Sequence, residues 1–272
     1  MDLLIRISAF LSMFVTMSLW EFLRPRRRLM QPRRERWPTN LGLTALNSLL
    51  VWGMVGGISY TIARFTAEQG VGMLHWLVLP GWAAVMVTLL VLDFALYVQH
   101  MLFHAMPLLW RLHRVHHADL GLDATTGLRF HPIEIFLSLG LKAAVIVLLG
   151  ATPWAVIAFE AFLNASSVFN HGNVAIPMHV DRWLCWVVVT PDMHRIHHST
   201  RVVETNSNFG FSVSWWDRLC GTYRADPALG QEKMPVGLLD YPNPLSLGQL
   251  LALPFRGDAG RYPLSGARSA HT

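Results

Sequence analysis

Eight of the thirteen histidines fall into three tight groups, one reading H-x-x-x-H and two reading H-x-x-H-H. Residues three and four apart share one face of a helix, so each group is predicted to aim its rings at one point. Imidazole is a common ligand of redox-capable metals, and eight rings are too many for one ion. The spacing therefore predicts a metal cluster. The groups are His100 and His104, then His113, His116 and His117, and finally His194, His197 and His198.

Two polar side chains continue the stripe of the first pair toward the N-terminus. Asp93 and Tyr97 lie seven and three residues before His100, on the same helical face. A carboxylate in such a position can accept a hydrogen bond from the second nitrogen of a metal-bound imidazole and fix its orientation. We predict supporting roles for both residues behind the ligands. The alternative for Asp93 is a helix-end charge at a membrane surface.

The residue types available as ligands limit which metal the site can hold. Catalytic zinc sites typically use three protein ligands, which would leave most of these histidines idle, and the sequence has no H-E-x-x-H. Its two cysteines, Cys185 and Cys220, form no C-x-x-C pair, which disfavours a zinc knuckle. Two iron ions sharing eight or more imidazoles fit best. A non-oxidative zinc lipid hydrolase and a membrane haem- or metal-binding protein remain as alternatives.

The composition is that of a membrane protein. The chain is 53% hydrophobic and 14% charged, against about 25% charged residues in soluble domains. Much of its net charge of +5 comes from an arginine run at 24–36. In so apolar a chain, such a run is more typical of a membrane-flanking loop than of a nucleic-acid site, so we expect no nucleic-acid partner.

Apolar stretches predict an all-α integral membrane protein with about four transmembrane helices, three single spans plus a helical hairpin. Arginine-rich loops lie on the cytoplasmic side, so run 24–36 orients the spans. That topology brings every histidine group to the cytoplasmic face, as a metal-binding cap on a multi-pass protein of a bacterial inner membrane or its equivalent. The predicted spans are 7–23, one between 36 and 64, 74–92, and the hairpin 133–168 with its break at 150–153.

Three regions are predicted from these patterns. Residues 1–92 hold the N-terminal spans and the basic loop, and residues 93–224 form the histidine-rich catalytic domain. Residues 225–272 are rich in proline and glycine and are predicted to form a tail, disordered over its last dozen positions.

Segments around the histidines resemble the fatty acid hydroxylase superfamily, also called the sterol desaturase family. The resemblance covers about 93–223, with one departure at Cys220, where the family more often has phenylalanine. The segments are D-x-x-x-Y-x-x-H at 93–100, LWRLH at 109–113, FHPIE at 130–134, FNHGN at 169–173, TPDMH at 190–194, NFG at 208–210 and WDRLCGT at 216–222.

The resemblance implies a membrane di-iron oxygenase that hydroxylates or desaturates a lipid with O2. It implies that the eight grouped histidines are iron ligands, with His171 as a further ligand and no catalytic residue beyond the ligands. His131 and His179 are candidates for additional ligands, although His131 precedes a proline and is better explained by loop hydrogen bonds. The sequence has no G-x-G-x-x-G and no fused redox module, so a separate electron donor of ferredoxin or cytochrome b5 type is expected.

Overall fold

The computed structural model describes residues 2–55 and 57–264, and this part of the chain is helical. It contains no β-strand, only three isolated backbone bridges. The predicted all-α class is therefore confirmed. The seven longer helices are α1 (Asp2–Leu23), α2 (Arg33–Val55), α3 (Ile58–Gln69), α4 (Gly81–Ala105), α5 (Pro107–His117), α6 (Pro132–Leu149) and α7 (Pro153–Asn170). The short helices are α8 (Met178–Leu184), α9 (Pro191–His197), α10 (Val202–Thr205), α11 (Trp215–Leu219), α12 (Gly230–Lys233) and α13 (Leu247–Ala252), with 3-10 turns at Met73–His75, Thr126–Leu128 and Leu253–Phe255.

Among the residues that the structure describes, four segments are long and apolar enough to cross a membrane, which confirms the predicted number. Large apolar side chains on these helices face outward; Leu49 and Leu148 are 68% and 66% exposed. Such a surface is favourable only against lipid. The chain is thus built as a multi-pass membrane protein. The segments are Arg6–Leu23, Arg33–His75, Gly81–Ala105 and Pro132–Leu149.

Helix α4 differs from the expected span at 74–92. Pro80 precedes its first residue, and Pro107 follows shortly after its last, so both ends coincide with residues that disfavour continuation of a helix. The H-x-x-x-H pair accordingly lies on the last two turns of a spanning helix. The predicted domain boundary at 92/93 falls inside this helix.

The expected helical hairpin is formed by α6 and α7. Each helix has proline in its first turn, where the missing N–H costs nothing. Gly150 ends α6 with φ of 69°, a left-handed conformation that favours glycine. A Cβ on Gly150 would also lie 2.4 Å from the carbonyl oxygen of Val71, so only glycine fits this turn. The hairpin returns the chain to the histidine-bearing end of the bundle.

Residues 225–264 pack onto α5 instead of extending away from it. Leu250, Leu253 and Tyr262 share a buried apolar cluster with Trp110. The Arg114 guanidinium donates to the carbonyl oxygens of residues 253, 256 and 258 at 2.5–2.7 Å. Residues 225–264 thus form a clamp on α5, the helix that carries the first H-x-x-H-H triplet, His113, His116 and His117. The disorder expected for the last dozen positions concerns mainly 265–272, outside the described residues.

The arginine run also contacts the histidine-bearing end. Arg36 is 3% exposed and donates to both oxygens of Asp119 at 2.7 and 2.8 Å and to Asp123 at 2.6 Å. Arg26 pairs with Asp192 at the start of α9. The loop after α1 and the first turn of α2 are therefore held by ion pairs, through Arg26 to the start of α9 and through Arg36 to the segment that follows α5.

Candidate metal centre

Nine histidines converge at one end of the helix bundle, and all nine are at most 6% exposed. They come from the C-terminal turns of α4, from α5, from the end of α7 and from α9 with its C-cap. His75, in contrast, lies beside Gly150 at the turn between α6 and α7. The convergent residues are His100, His104, His113, His116, His117, His171, His194, His197 and His198.

The nine rings form two separate groups, each small enough to surround one ion. Within a group, one nitrogen from every residue lies within 4.8 Å of the others. Two buried groups of imidazoles can hold two metal ions side by side. The first group is His100, His104, His113, His117 and His197, and the second is His116, His171, His194 and His198.

Each H-x-x-H-H triplet is divided between the two groups, contrary to the prediction that its rings converge on one point. His113 and His117 belong to the first group, whereas His116 belongs to the second. In the other triplet the assignment is reversed: His194 and His198 belong to the second group and His197 to the first. Adjacent helical positions differ by about 100° in direction, so the two neighbouring histidines that end each triplet point toward different groups.

The inward-facing nitrogens have the separations expected of metal ligands. The Nε2 atoms of His100 and His113 lie 3.0 Å apart. The Nε2 atom of His171 lies 3.0 Å from Nε2 of His116 and 3.1 Å from Nε2 of His194. Two nitrogens at right angles, each about 2.1 Å from one ion, would be about 3.0 Å apart. Several further ring nitrogens are buried without a hydrogen-bond partner in the described chain, which is costly unless an ion satisfies them. These residues fit a metal pair.

Hydrogen bonds on the outer side fix the orientation of several rings. The Nδ1 atoms of His100, His171 and His197 lie 2.7–2.9 Å from backbone carbonyl oxygens, to which they donate. The Nδ1 of His104 faces the side-chain oxygen of Asn206 at 3.2 Å. A ring that donates through Nδ1 presents the lone pair of Nε2 inward, the form that binds a metal.

One carboxylate reaches a candidate ligand directly. Glu134 Oε1 lies 2.6 Å from Nδ1 of His113, and both side chains are buried. Glu134 is the last residue of the FHPIE segment, but the sequence did not single it out because it lies twenty-one positions from its partner. The spacing of histidines alone carries no information about this contact.

Asp93 and Tyr97 do not contact an imidazole. Asp93 accepts from the indole N–H of Trp216 at 2.8 Å and from the backbone of Val213, while the Tyr97 hydroxyl pairs with Thr222. Seven residues along a helix correspond to about 10 Å, so Asp93 lies too far along α4 to reach the ring of His100. Both residues instead connect α4 to the segment at 213–222.

The two candidates for additional ligands lie apart from the nine. His131 caps α6: its Nδ1 accepts from the backbone N–H of Ile133, and its Nε2 donates to the carbonyl oxygen of Leu251 at 3.2 Å. These are the loop hydrogen bonds that the sequence favoured for it. His179 is exposed on α8.

Burial keeps the grouped imidazoles neutral. It lowers the pKa of His113 to about 3 and that of His171 to about 4, because water no longer solvates the charged ring. The pKa values of His116, His194 and His198 are also well below the ordinary value, through burial and neighbouring imidazoles. Near neutral pH these rings are in the state that binds a metal ion.

A cavity of about 410 Å³ adjoins the first group. His100, His113 and Glu134 line one end, and the cavity continues between α6 and α7 with contributions from α2 and α4. Its walls are mostly apolar, and its volume is within the range of small-ligand sites. An apolar molecule in it would lie with one part against the histidines.

The fold and site define a helical membrane protein with a buried polyhistidine metal centre and an adjoining apolar cavity. The sequence model of the fatty acid hydroxylase family matches residues 85–222. The chain belongs to this family. The resemblance read from its motifs is thereby confirmed.

Individual relatives are named as hydroxylases or monooxygenases. The chain is 32% identical to the ornithine lipid hydroxylase OlsE of Rhizobium tropici over 53% of its length and 42% of the relative's. It is 32% identical to human cholesterol 25-hydroxylase, over 50% and 49% of the two chains, and 26% identical to an alkylglycerol monooxygenase of Xenopus tropicalis, over 56% and 32%. The matches thus span less than half of each of these relatives. No solved structure matches the chain.

Proposed function

We propose that the chain is a membrane-bound di-iron oxygenase that uses O2 and externally supplied electrons to insert oxygen at a C–H bond of a lipid. The observation that carries the proposal is the pair of buried histidine groups at the end of an apolar cavity. The oxidoreductase relatives support hydroxylation over desaturation, because all three are named hydroxylases or monooxygenases.

The nine grouped histidines would hold the two ions. Iron bound there would supply the reduction of O2 and the oxidising power that an unactivated C–H bond requires. The chain's own part is positional. Phe103 and Leu96 form apolar cavity walls that orient a hydrocarbon and exclude water, while Glu134 and backbone carbonyls keep the inward nitrogens unprotonated.

Electrons must reach the centre from outside the chain, and a ferredoxin or cytochrome b5 type protein is the proposed donor. We place the centre on the cytoplasmic side, because the arginine run lies at the same end of the bundle as the histidines. Arg24, Arg28 and Arg34 are exposed there and offer a basic surface to an acidic donor.

The decisive experiment measures metal content and O2 consumption of the purified chain supplied with membrane lipid and a reductant. We expect about two irons per chain and a lipid product that carries one oxygen atom from labelled O2. Bound zinc with turnover under nitrogen would favour a hydrolase and refute the proposal. A Soret absorption band would indicate haem instead.

The substrate can be sought by comparing lipids of a deletion strain grown in air with and without the restored gene. We expect an oxygenated lipid that disappears on deletion and does not return with the His197→Ala variant. A product that returns with this variant would mean that the ligand assignment is incorrect.

A further inference from the structure

The far end of the cavity contains a buried cluster of charges that the metal centre does not use. Lys142 of α6 and Glu160 of α7 line the cavity, and Arg6 of α1 hydrogen-bonds to Glu160 from behind. The Lys142 Nζ lies 3.8 Å from the second oxygen of Glu160. The side chains of Arg6, Glu160 and Lys142 are 20%, 11% and 14% exposed.

This cluster carries two cations against one carboxylate. The ion pair of Arg6 with Glu160 already neutralises the acid, and the Nε and Nη2 atoms of Arg6 are buried without a hydrogen-bond partner in the described chain. An uncompensated charge within membrane-spanning helices is expensive and commonly marks a functional site. The excess positive charge calls for an anionic partner.

The helices place this cluster at a defined distance from the histidines. Glu134, Ser138 and Lys142 follow one face of α6 at intervals of four residues, and all three line the cavity. Eight residues of α-helix correspond to about 12 Å, so Lys142 lies about that far from the level of Glu134. On α7, Glu160 and Ser167 line the cavity in the opposite order, since α7 returns toward the histidines.

We propose that Lys142, beside the Glu160 that Arg6 holds from behind, binds a carboxylate or phosphate group of the lipid substrate, while the carbon that reacts lies about 12 Å away beside His100 and His113. This inference rests on the proposed function, because it treats the cavity as the substrate site. It adds that the substrate is an acidic amphiphile and that its charged end faces away from the metals. A purely structural ion pair would need only one of the two cations.

The test is equilibrium binding of three radiolabelled probes to the purified full chain in detergent, under nitrogen and without reductant. The probes are palmitic acid, hexadecyl phosphate and methyl palmitate, which share an alkyl chain and differ in the charged group. We expect at least one acid to bind about tenfold tighter than the ester, and the preferred acid identifies the group. Equal affinities for all three would overturn the proposal.

Variants at the cluster separate binding of the acid from general packing. Lys142→Met should lower the affinity for the preferred acid to about that of the ester, whereas Lys142→Arg should retain the preference. Lys233→Met, the same substitution at an exposed lysine of α12 outside the cavity, is the matched control and should change neither value. An acid preference that survives in Lys142→Met would contradict the assignment.

Removal of the carboxylate gives a prediction of opposite sign. Glu160→Gln leaves two cations, so it should increase the preference for the acid, and a decrease would overturn the proposal. If Lys142→Met is not monodisperse in size-exclusion chromatography, the binding comparison is made with Glu160→Gln instead.

Binding and turnover fail independently in this design. Acid-selective binding without O2-dependent product would refute the proposed function and leave the anion site intact. Product formation together with equal binding of acid and ester would refute the anion site alone.

Discussion

The two adjacent histidines that end each H-x-x-H-H triplet belong to different metal-binding groups. Two neighbouring histidines are therefore needed, one for each group. His116 and His117 point about 100° apart, so one turn of α5 contributes to both groups. His197 and His198 do the same from the opposite side. The sequence predicts which residues gather, because their spacing is local. It does not predict the division into five and four, which depends on how α5 and α9 face each other.

The two groups should respond differently to loss of one ring. His198→Ala reduces the second group from four imidazoles to three, whereas His197→Ala leaves four in the first. We expect both variants to lose turnover and His198→Ala to lose more iron, measured as iron per chain after dialysis. His179→Ala is the control, because this exposed residue should leave iron content and activity unchanged. Loss of iron from His179→Ala would instead indicate that His179 is a metal ligand.

Glu134 should tune metal affinity through His113. Glu134→Ala removes the acceptor 2.6 Å from Nδ1 and should weaken iron binding about 10- to 100-fold, the usual effect of losing a partner behind a metal ligand. Glu134→Gln keeps an acceptor oxygen and should have a smaller effect. Competition with a chelator measures the affinity, and equal values for the wild type and Glu134→Ala would show that the contact does not tune the site.

The element that the sequence interpretation undervalued is the arginine run 24–36, which covers the loop after α1 and the first turn of α2. The sequence predicts that this run flanks the membrane on the side where the histidines lie, but the charge pattern could not indicate that Arg36 is buried against Asp119 and Asp123. These acids lie more than eighty positions away, and such a pairing depends on tertiary structure. The lengths of the apolar stretches predicted the number of spans well, but they gave the wrong ends for α4. Hydropathy falls at the polar C-terminal turns of α4, although the helix continues to Ala105.

Arg36 should therefore be a stability residue. Arg36→Met would leave two carboxylates buried without their cation, at a cost of about 3–5 kcal/mol. Thermal unfolding should show a fall in Tm of roughly 10 °C. Arg34→Met, at an exposed position of the same run, should change stability by less than about 0.5 kcal/mol. Similar Tm values for the two variants would argue against a buried ion pair.

At the scale of the whole molecule, the protein buries nine histidines at one end of a helix bundle whose outer surface is apolar and favours contact with lipid. Membrane class, helix content and the gathering of histidines follow from local patterns of hydropathy and spacing. The cavity does not, because its walls come from five helices, α2, α4, α5, α6 and α7, whose lining residues range from Thr44 to Ser167 in the sequence. The same is true of the clamp at 225–264, where a composition rich in proline and glycine predicted a loose tail.

Acid should destabilise the protein. An unfolded histidine takes up a proton near pH 6.5, whereas His113 and His171 resist protonation until about pH 3 and 4. The unfolded state thus binds more protons below pH 6.5, and stability falls by about 1.4 kcal/mol per pH unit for each such ring. We expect Tm of the metal-free protein to decrease from pH 7 to pH 5, and iron to be released over the same range. A Tm that is constant over this interval would contradict the neutral state of the rings.

The clamp on α5 also has a consequence for biosynthesis. Asn206, which faces Nδ1 of His104, is itself held by the carbonyl oxygen of Tyr262, and Arg114 is held by residues 253–258. A ribosome makes α5 long before it makes these partners. We therefore expect the nascent chain to enter the membrane before its histidines are fully arranged, and the centre to take its final shape only after translation has passed Tyr262. A metal would then be inserted into a chain that is already anchored in the lipid, so we expect loading to be a late event of maturation.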